Sequence, residues 1–128
     1  TEYAEEAGFE AARKIFEKRT GITAILANND AMAYGAIHAI RRSGRRVPED
    51  ISVAGFDDLP MGRFGSPTLT TVGQSLLAMG QEAAAGLNQY LRGERAELPR
   101  RVLPAELIVR ESTTALPPAG IFVSGCRG

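Results

Sequence analysis

The sequence has no tryptophan, one cysteine, one histidine and no net charge. Cys126 has no partner for an internal disulfide, so a reducing compartment is allowed. One cysteine and one histidine cannot supply a zinc site of the usual ligand types. Lys and Arg number 15, and so do Asp and Glu. That balance excludes the single-sign field of a simple basic nucleic-acid binder or an acidic tail protein. No apolar run approaches the roughly 18 residues a membrane helix needs, so no membrane partner is expected. The opening residues Thr1-Glu2-Tyr3-Ala4-Glu5-Glu6 have no leader-peptide character. Neither GxGxxG nor a Walker-type GxxxxGK loop occurs, and no segment repeats.

What is present suits a soluble globular domain: 128 residues, 44% hydrophobic and 23% charged. Residues 2–19 read as an amphipathic helix, with Ala4, Ala7, Ala11, Ile15 and Phe16 at helical spacing. Thr23-Ala24-Ile25-Leu26-Ala27 follows as a short apolar strand without alternation, which predicts burial on both faces. Asn28-Asn29-Asp30 ends it and offers a cap for a helix over 31–42, stopped near Gly44. Ile51–Phe56 is the next strand, and Asp57-Asp58 comes immediately after it. Strand, helix and strand in this order predict a parallel pair with a right-handed crossover. Residues 59–67 read as a loop, 69–72 as a strand or an extended crossover, and 76–92 as an amphipathic helix. Leu76, Met79, Leu87 and Leu91 form one apolar stripe on that helix. Val102-Leu103 and Leu107-Ile108-Val109 read as short strands, and residues 115–128 as a tail. So few strands leave the helices little to pack on, and the chain reads as a piece of a larger fold.

In open parallel α/β sheets, ligands bind beyond the carboxyl ends of the strands. Asn28-Asn29-Asp30 and Asp57-Asp58 sit at two such ends, where amides and carboxylates suit a polyol, sugar or nucleobase and repel phosphate. A plain helix cap and a plain loop start explain the same residues equally well. Asp30, Asp57 and Asp58 with Arg63 also resemble the donor set of a magnesium phosphotransfer site. Nothing marks a nucleophile, and His38 lies mid-helix without an evident triad partner. We therefore expect no catalytic residue, metal or cofactor.

The segment from Ala31 to Ile40 carries no formal charge. With one face on the sheet, Tyr34, Ile37 and His38 are expected on the other, as a homodimer interface. Arg41, Arg42, Arg45 and Arg46 follow at the helix end, where the macrodipole favours them.

Several phrases resemble the LacI/GalR family of bacterial transcription regulators, in order over residues 1–114. Thr23–Ala36 resembles that family's TAI-x-x-x-ND-x-x-A-x-G, and Gly44–Asp58 its G-x-x-V-P-x-D-I-S-V-x-G-F-D-D. Pro67–Gln74 is similar to P-x-LTTV-x-Q, and Gly80 and Ala83 fit LG-x-x-A. Leu103–Thr113 resembles the closing LP-x-ELI-x-R-x-ST. The resemblance implies a periplasmic-binding-protein-like type I fold, a three-layer α/β sandwich on a parallel sheet. Residues 1–114 would be a partial effector-binding domain, mostly C-terminal lobe, with about 76–103 crossing into the N-terminal lobe. It implies Asn29, Asp57 and Gln74 as contacts to a small effector, a cytoplasmic homodimer, and operator DNA bound only through a headpiece this chain lacks. The stripe of the helix over 76–92 is then expected to dock on another copy of the chain, the alternatives being that the segment loosens or folds back on its own lobe. A periplasmic sugar-binding protein of an ABC transporter has the same fold and is the runner-up.

Overall fold

A computed structural model describes residues 5–18, 21–98 and 100–115. Cys126 and residues 116–128 of the expected tail lie outside the described residues. The elements are α1 (Glu5–Lys18), β1 (Ala24–Leu26), α2 (Asp30–Arg42), β2 (Ser52–Phe56), α3 (Met61–Phe64), β3 (Thr70–Gln74), α4 (Leu76–Leu91) and β4 (Ala105–Ile108). The four described strands form one sheet in the order β1-β2-β3-β4. The first three run parallel, and β4 joins the edge antiparallel to β3, pairing Gln74 with Ala105 and Thr71 with Ile108.

The core lies between α2 and one face of this sheet. Ala33, Ile37 and Ile40 of α2 meet Val53 of β2 and the flanking Val47, Ile51 and Leu69. Each fully buried Val, Leu or Ile contributes about 1.5–3 kcal/mol. α1 lies alongside α2, joined through Ala12, Ala36 and Ala39 with Phe9 and Phe16 at the contact. The two helices approach closely because Gly8 faces the Met32 backbone and Gly35 faces the Glu5 carbonyl. A Cβ at either glycine would overlap main-chain atoms.

Several expectations need correction. Ile37 is only 2% exposed. It points into the core, because a helix packed on a sheet and flanked by a second helix buries more than one side. It therefore cannot form a docking surface. The apolar run of β1 is not buried on both faces: Leu26 is 79% exposed. Alternation along the strand turns Ile25 to the core and Leu26 to the opposite face, and no described element covers that face. Two layers of the sandwich are thus present within the described residues. Leu107 and Val109 are exposed as well. The loop over 59–67 contains the single helical turn α3; the strand expected at 102–103 does not form, and the one expected at 107–109 forms as β4, Ala105–Ile108.

α4 forms where expected, with the Ser75 hydroxyl accepting the Ala78 N–H at 3.3 Å. Its stripe finds no cover among the described residues: Leu76, Met79, Leu87 and Leu91 are exposed. The chain leaves the sheet edge at Ser75, so α4 does not fold back over the sheet. A shallow hollow between α4 and the segment 101–105, with Gln74 at its end, is its main neighbour.

Candidate functional site

Asn29 follows β1, Asp57 follows β2 and Gln74 closes β3 at the carboxyl ends of the three parallel strands, and of these the structure joins Asp57 and Gln74. Gln74 Nε2 donates to Asp57 Oδ1 at 2.7 Å. Asn29 is the N-cap of α2, its Oδ1 accepting the Met32 N–H at 2.9 Å. Capping uses only the amide oxygen, and its NH2 stays available as a donor. The two readings of Asn29, cap and contact, are therefore compatible.

Asp57 and Asp58 both have positive φ, 109° and 52°. For residues other than glycine such conformations cost on the order of 1–3 kcal/mol each and persist only where surroundings hold them. Three anchors do so here. The Asp57 N–H donates to Val72 O at 2.9 Å. The Asp58 carboxylate accepts from Arg110 Nη2 at 2.5 Å and from Arg63 Nη2 at 2.6 Å. The Leu59 N–H donates to Asp30 Oδ2 at 2.7 Å. Burial opposes the Asp58 charge, yet the hydrogen bonds and charges of Arg110 and Arg63 hold its carboxyl below the ordinary range.

Asp30 is fully buried, with Thr71 Oγ1 donating to its Oδ1 at 2.6 Å. It thus ties the start of α2 to β3 and to the loop after β2. Gly55 makes room for it, since a Cβ there would overlap Asp30 Oδ1. The three aspartates therefore have separate partners and do not converge as ligands. Among the described residues no cluster of three His, Cys, Asp or Glu side chains is placed to hold a metal ion.

The residues expected at an assembly surface separate. Tyr34 is half-buried, its hydroxyl donating toward Met61 O at 3.3 Å and Pro67 O at 3.2 Å. Burial first, and then the Asp30 charge, raises its pKa above the ordinary tyrosine range. His38 is exposed at the α1–α2 seam, edge-on to Phe9 with ring centroids 5.4 Å apart. Beyond it, Arg42 lies over Phe9, Arg45 over Phe16, and Arg46 pairs with Asp50. Sequence reasoning missed Arg110 and Ser112. The signal for both was the closing R-x-S-T phrase, which residue chemistry alone does not interpret.

A family model described as a periplasmic binding protein-like domain matches residues 1–113. The chain belongs to the periplasmic binding protein-like domain family. Within it the chain is 38% identical over 112 residues to the HTH-type transcriptional repressor CytR of Escherichia coli strain K12, covering 88% of this chain and 33% of that protein. Two solved structures are similar to this periplasmic-binding-protein-like domain. A Lac repressor dimer bound to operator and the anti-inducer ONPF has TM-score 0.81 at 36% identity, covering 88% of this chain and 39% of that one. The transcriptional regulator CelR in complex with cellobiose has TM-score 0.82 at 38% identity, covering 85% and 33%. The chain thus spans about a third of the length of the curated relatives it matches. Among the described residues no helix is long and apolar enough to cross a membrane.

Proposed function

We propose that this chain is the effector-contacting and dimerising part of a LacI/GalR-type transcription regulator. In this reading a small sugar-like or nucleobase-like molecule sits beyond the strand ends and controls DNA binding by a headpiece elsewhere, in the cytoplasm. The observation that carries the reading is the Asp57–Gln74 pair at the carboxyl ends of β2 and β3. A carboxylate that accepts from an amide has lone pairs left for a ligand hydroxyl or ring N–H. With the Asn29 amide at the neighbouring strand end, the rim offers carboxylate and amide donors and acceptors, which suit a neutral polar ligand. The similarity to CytR and CelR favours a regulator over the transporter-linked sugar-binding protein of the same fold, and over an enzyme.

Asp57→Ala is expected to weaken effector binding about ten- to a hundredfold, as loss of a charged hydrogen bond costs ~1.5–3 kcal/mol. Calorimetric titration of the intact regulator against mono- and disaccharides and nucleobases provides the measurement. Unchanged affinity in the variant overturns the assignment of Asp57.

For assembly, the exposed surface that fits is the α2–α3 corner. Phe64 is 87% exposed there, beside Met61 and the anchored ring of Tyr34. We place the homodimer contact at Phe64, Met61 and Tyr34, with His38 further along the same helix and Ile37 withdrawn.

A further inference from the structure

We propose that Arg110 is a positioning residue for the effector contact: it holds Asp57 in place by clamping Asp58, and so ties β4 to the rim of β2. The proposal rests on the effector reading above and names a residue that reading does not contain.

Arg110 and Asp58 form the more enclosed of the two pairs at this carboxylate, their side chains 15% and 13% exposed. Its second nitrogen, Nη1, donates to Leu69 O at 2.8 Å. A planar guanidinium held at two points fixes its acceptor in direction as well as distance. Arg63, the other partner of Asp58, is mostly exposed. An exposed partner of that kind adds charge and little orientation.

Asp57 and Asp58 occupy conformations that non-glycine residues leave when released. The dipeptide is pinned at the Asp57 N–H, at the Asp58 carboxylate and at the Leu59 N–H. Of these pins only the middle one comes from outside the contiguous β2–β3 and α2 framework. Without it, rotation about Asp58 is free to carry the Asp57 carboxylate away from Gln74. β4 also pairs with β3 at Gln74, through Ala105. The strand leading into Arg110 thus braces both members of the Asp57–Gln74 pair. A displacement of β4 is felt by both at once.

The test uses the intact protein with selectively 15N-labelled glutamine, in which the Gln74 side-chain NH2 reports its bond to Asp57. Asp57→Ala identifies the signal and defines the released position. Arg110→Met is expected to move the Gln74 signals toward that position while far-UV circular dichroism stays unchanged. Arg110→Lys, able to keep one of the two contacts, is expected to restore part of the shift. If Arg110→Met does not fold, Asp58→Asn is read in the same way. A folded variant with unmoved Gln74 signals overturns the proposal, and so does an Asp57→Ala protein in which those signals do not change.

A second arm titrates cellobiose, ribose and adenine. For any probe that binds the parent, Arg110→Met should raise Kd about tenfold, a change of ~1.4 kcal/mol. Weak binding by Asp57→Ala with unchanged binding by Arg110→Met refutes the clamp. Unchanged binding by Asp57→Ala refutes the effector reading instead. In that case, or if no probe binds, the glutamine signals decide the clamp.

Discussion

Ser112 shows how much one small side chain can carry. It is completely buried, its hydroxyl accepting the Thr70 N–H at 2.8 Å and donating to Val53 O at 2.6 Å. Its backbone carbonyl accepts the Val53 N–H as well. One residue thereby joins β2, β3 and the chain after β4. Ser112→Ala leaves an N–H and a C=O buried without partners, at a cost of about 1–3 kcal/mol each. Urea denaturation should show a lower midpoint with little change in slope. An unaltered midpoint would mean that water replaces the hydroxyl. Asp30 is the charged counterpart, and both explain why polar residues of the family phrases lie away from the rim.

Among the elements, α2 and α4 make an instructive contrast. Both are capped by a side-chain oxygen, Asn29 for α2 and Ser75 for α4. Both carry an apolar stripe, yet α2 packs against both the sheet and α1 while α4 has no comparable neighbour among the described residues. Helix stability in water comes mostly from packing of the apolar stripe. Hydrogen exchange on this chain by itself should therefore show α4 amides exchanging orders of magnitude faster than those of α2. Equal protection in the two helices would indicate that another surface, such as a second copy, covers Leu76, Met79, Leu87 and Leu91. α4 was legible as a helix from its periodicity. What it packs on was not, because a stripe states that cover is needed and says nothing of where it lies.

For the whole molecule, the difference between Ile37 and Phe64 separates folding from assembly. Ile37 is part of the core and Phe64 projects into solvent. Phe64→Glu should leave thermal unfolding nearly unchanged while shifting the protein toward monomer, since it places a charge in an apolar contact. Ile37→Glu should abolish the fold, because it buries that charge within the chain itself. Sedimentation velocity and circular dichroism on the two variants check this. A Phe64→Glu protein that stays fully dimeric removes the α2–α3 corner as the interface.

The order of elements was readable because it depends on local chemistry: periodicity, the cap at Asn28-Asn29-Asp30, and turn residues after Phe56. The strand ends at Asn28-Asn29-Asp30 and Asp57-Asp58 were readable for a related reason, since ligands in parallel sheets bind beyond such ends, whereas Asn29 and Asp57 were singled out by the family phrases alone. The pairing of Asp57 with Gln74 spans 17 positions and depends on β2 and β3 being neighbours. The division of labour between adjacent aspartates is less local still. Asp58 differs from Asp57 because Arg63 and, from 52 positions away just after β4, Arg110 pair with its carboxylate. Likewise Ile37 and His38 are consecutive, and which of them faces the core depends on how α1 crosses α2 at Gly8 and Gly35. Sequence alone determined the elements and the strand ends at which the proposed site lies. Only tertiary structure decided which side chains are free to act there, because burial and long-range hydrogen bonds belong to the assembled sheet and to no segment by itself.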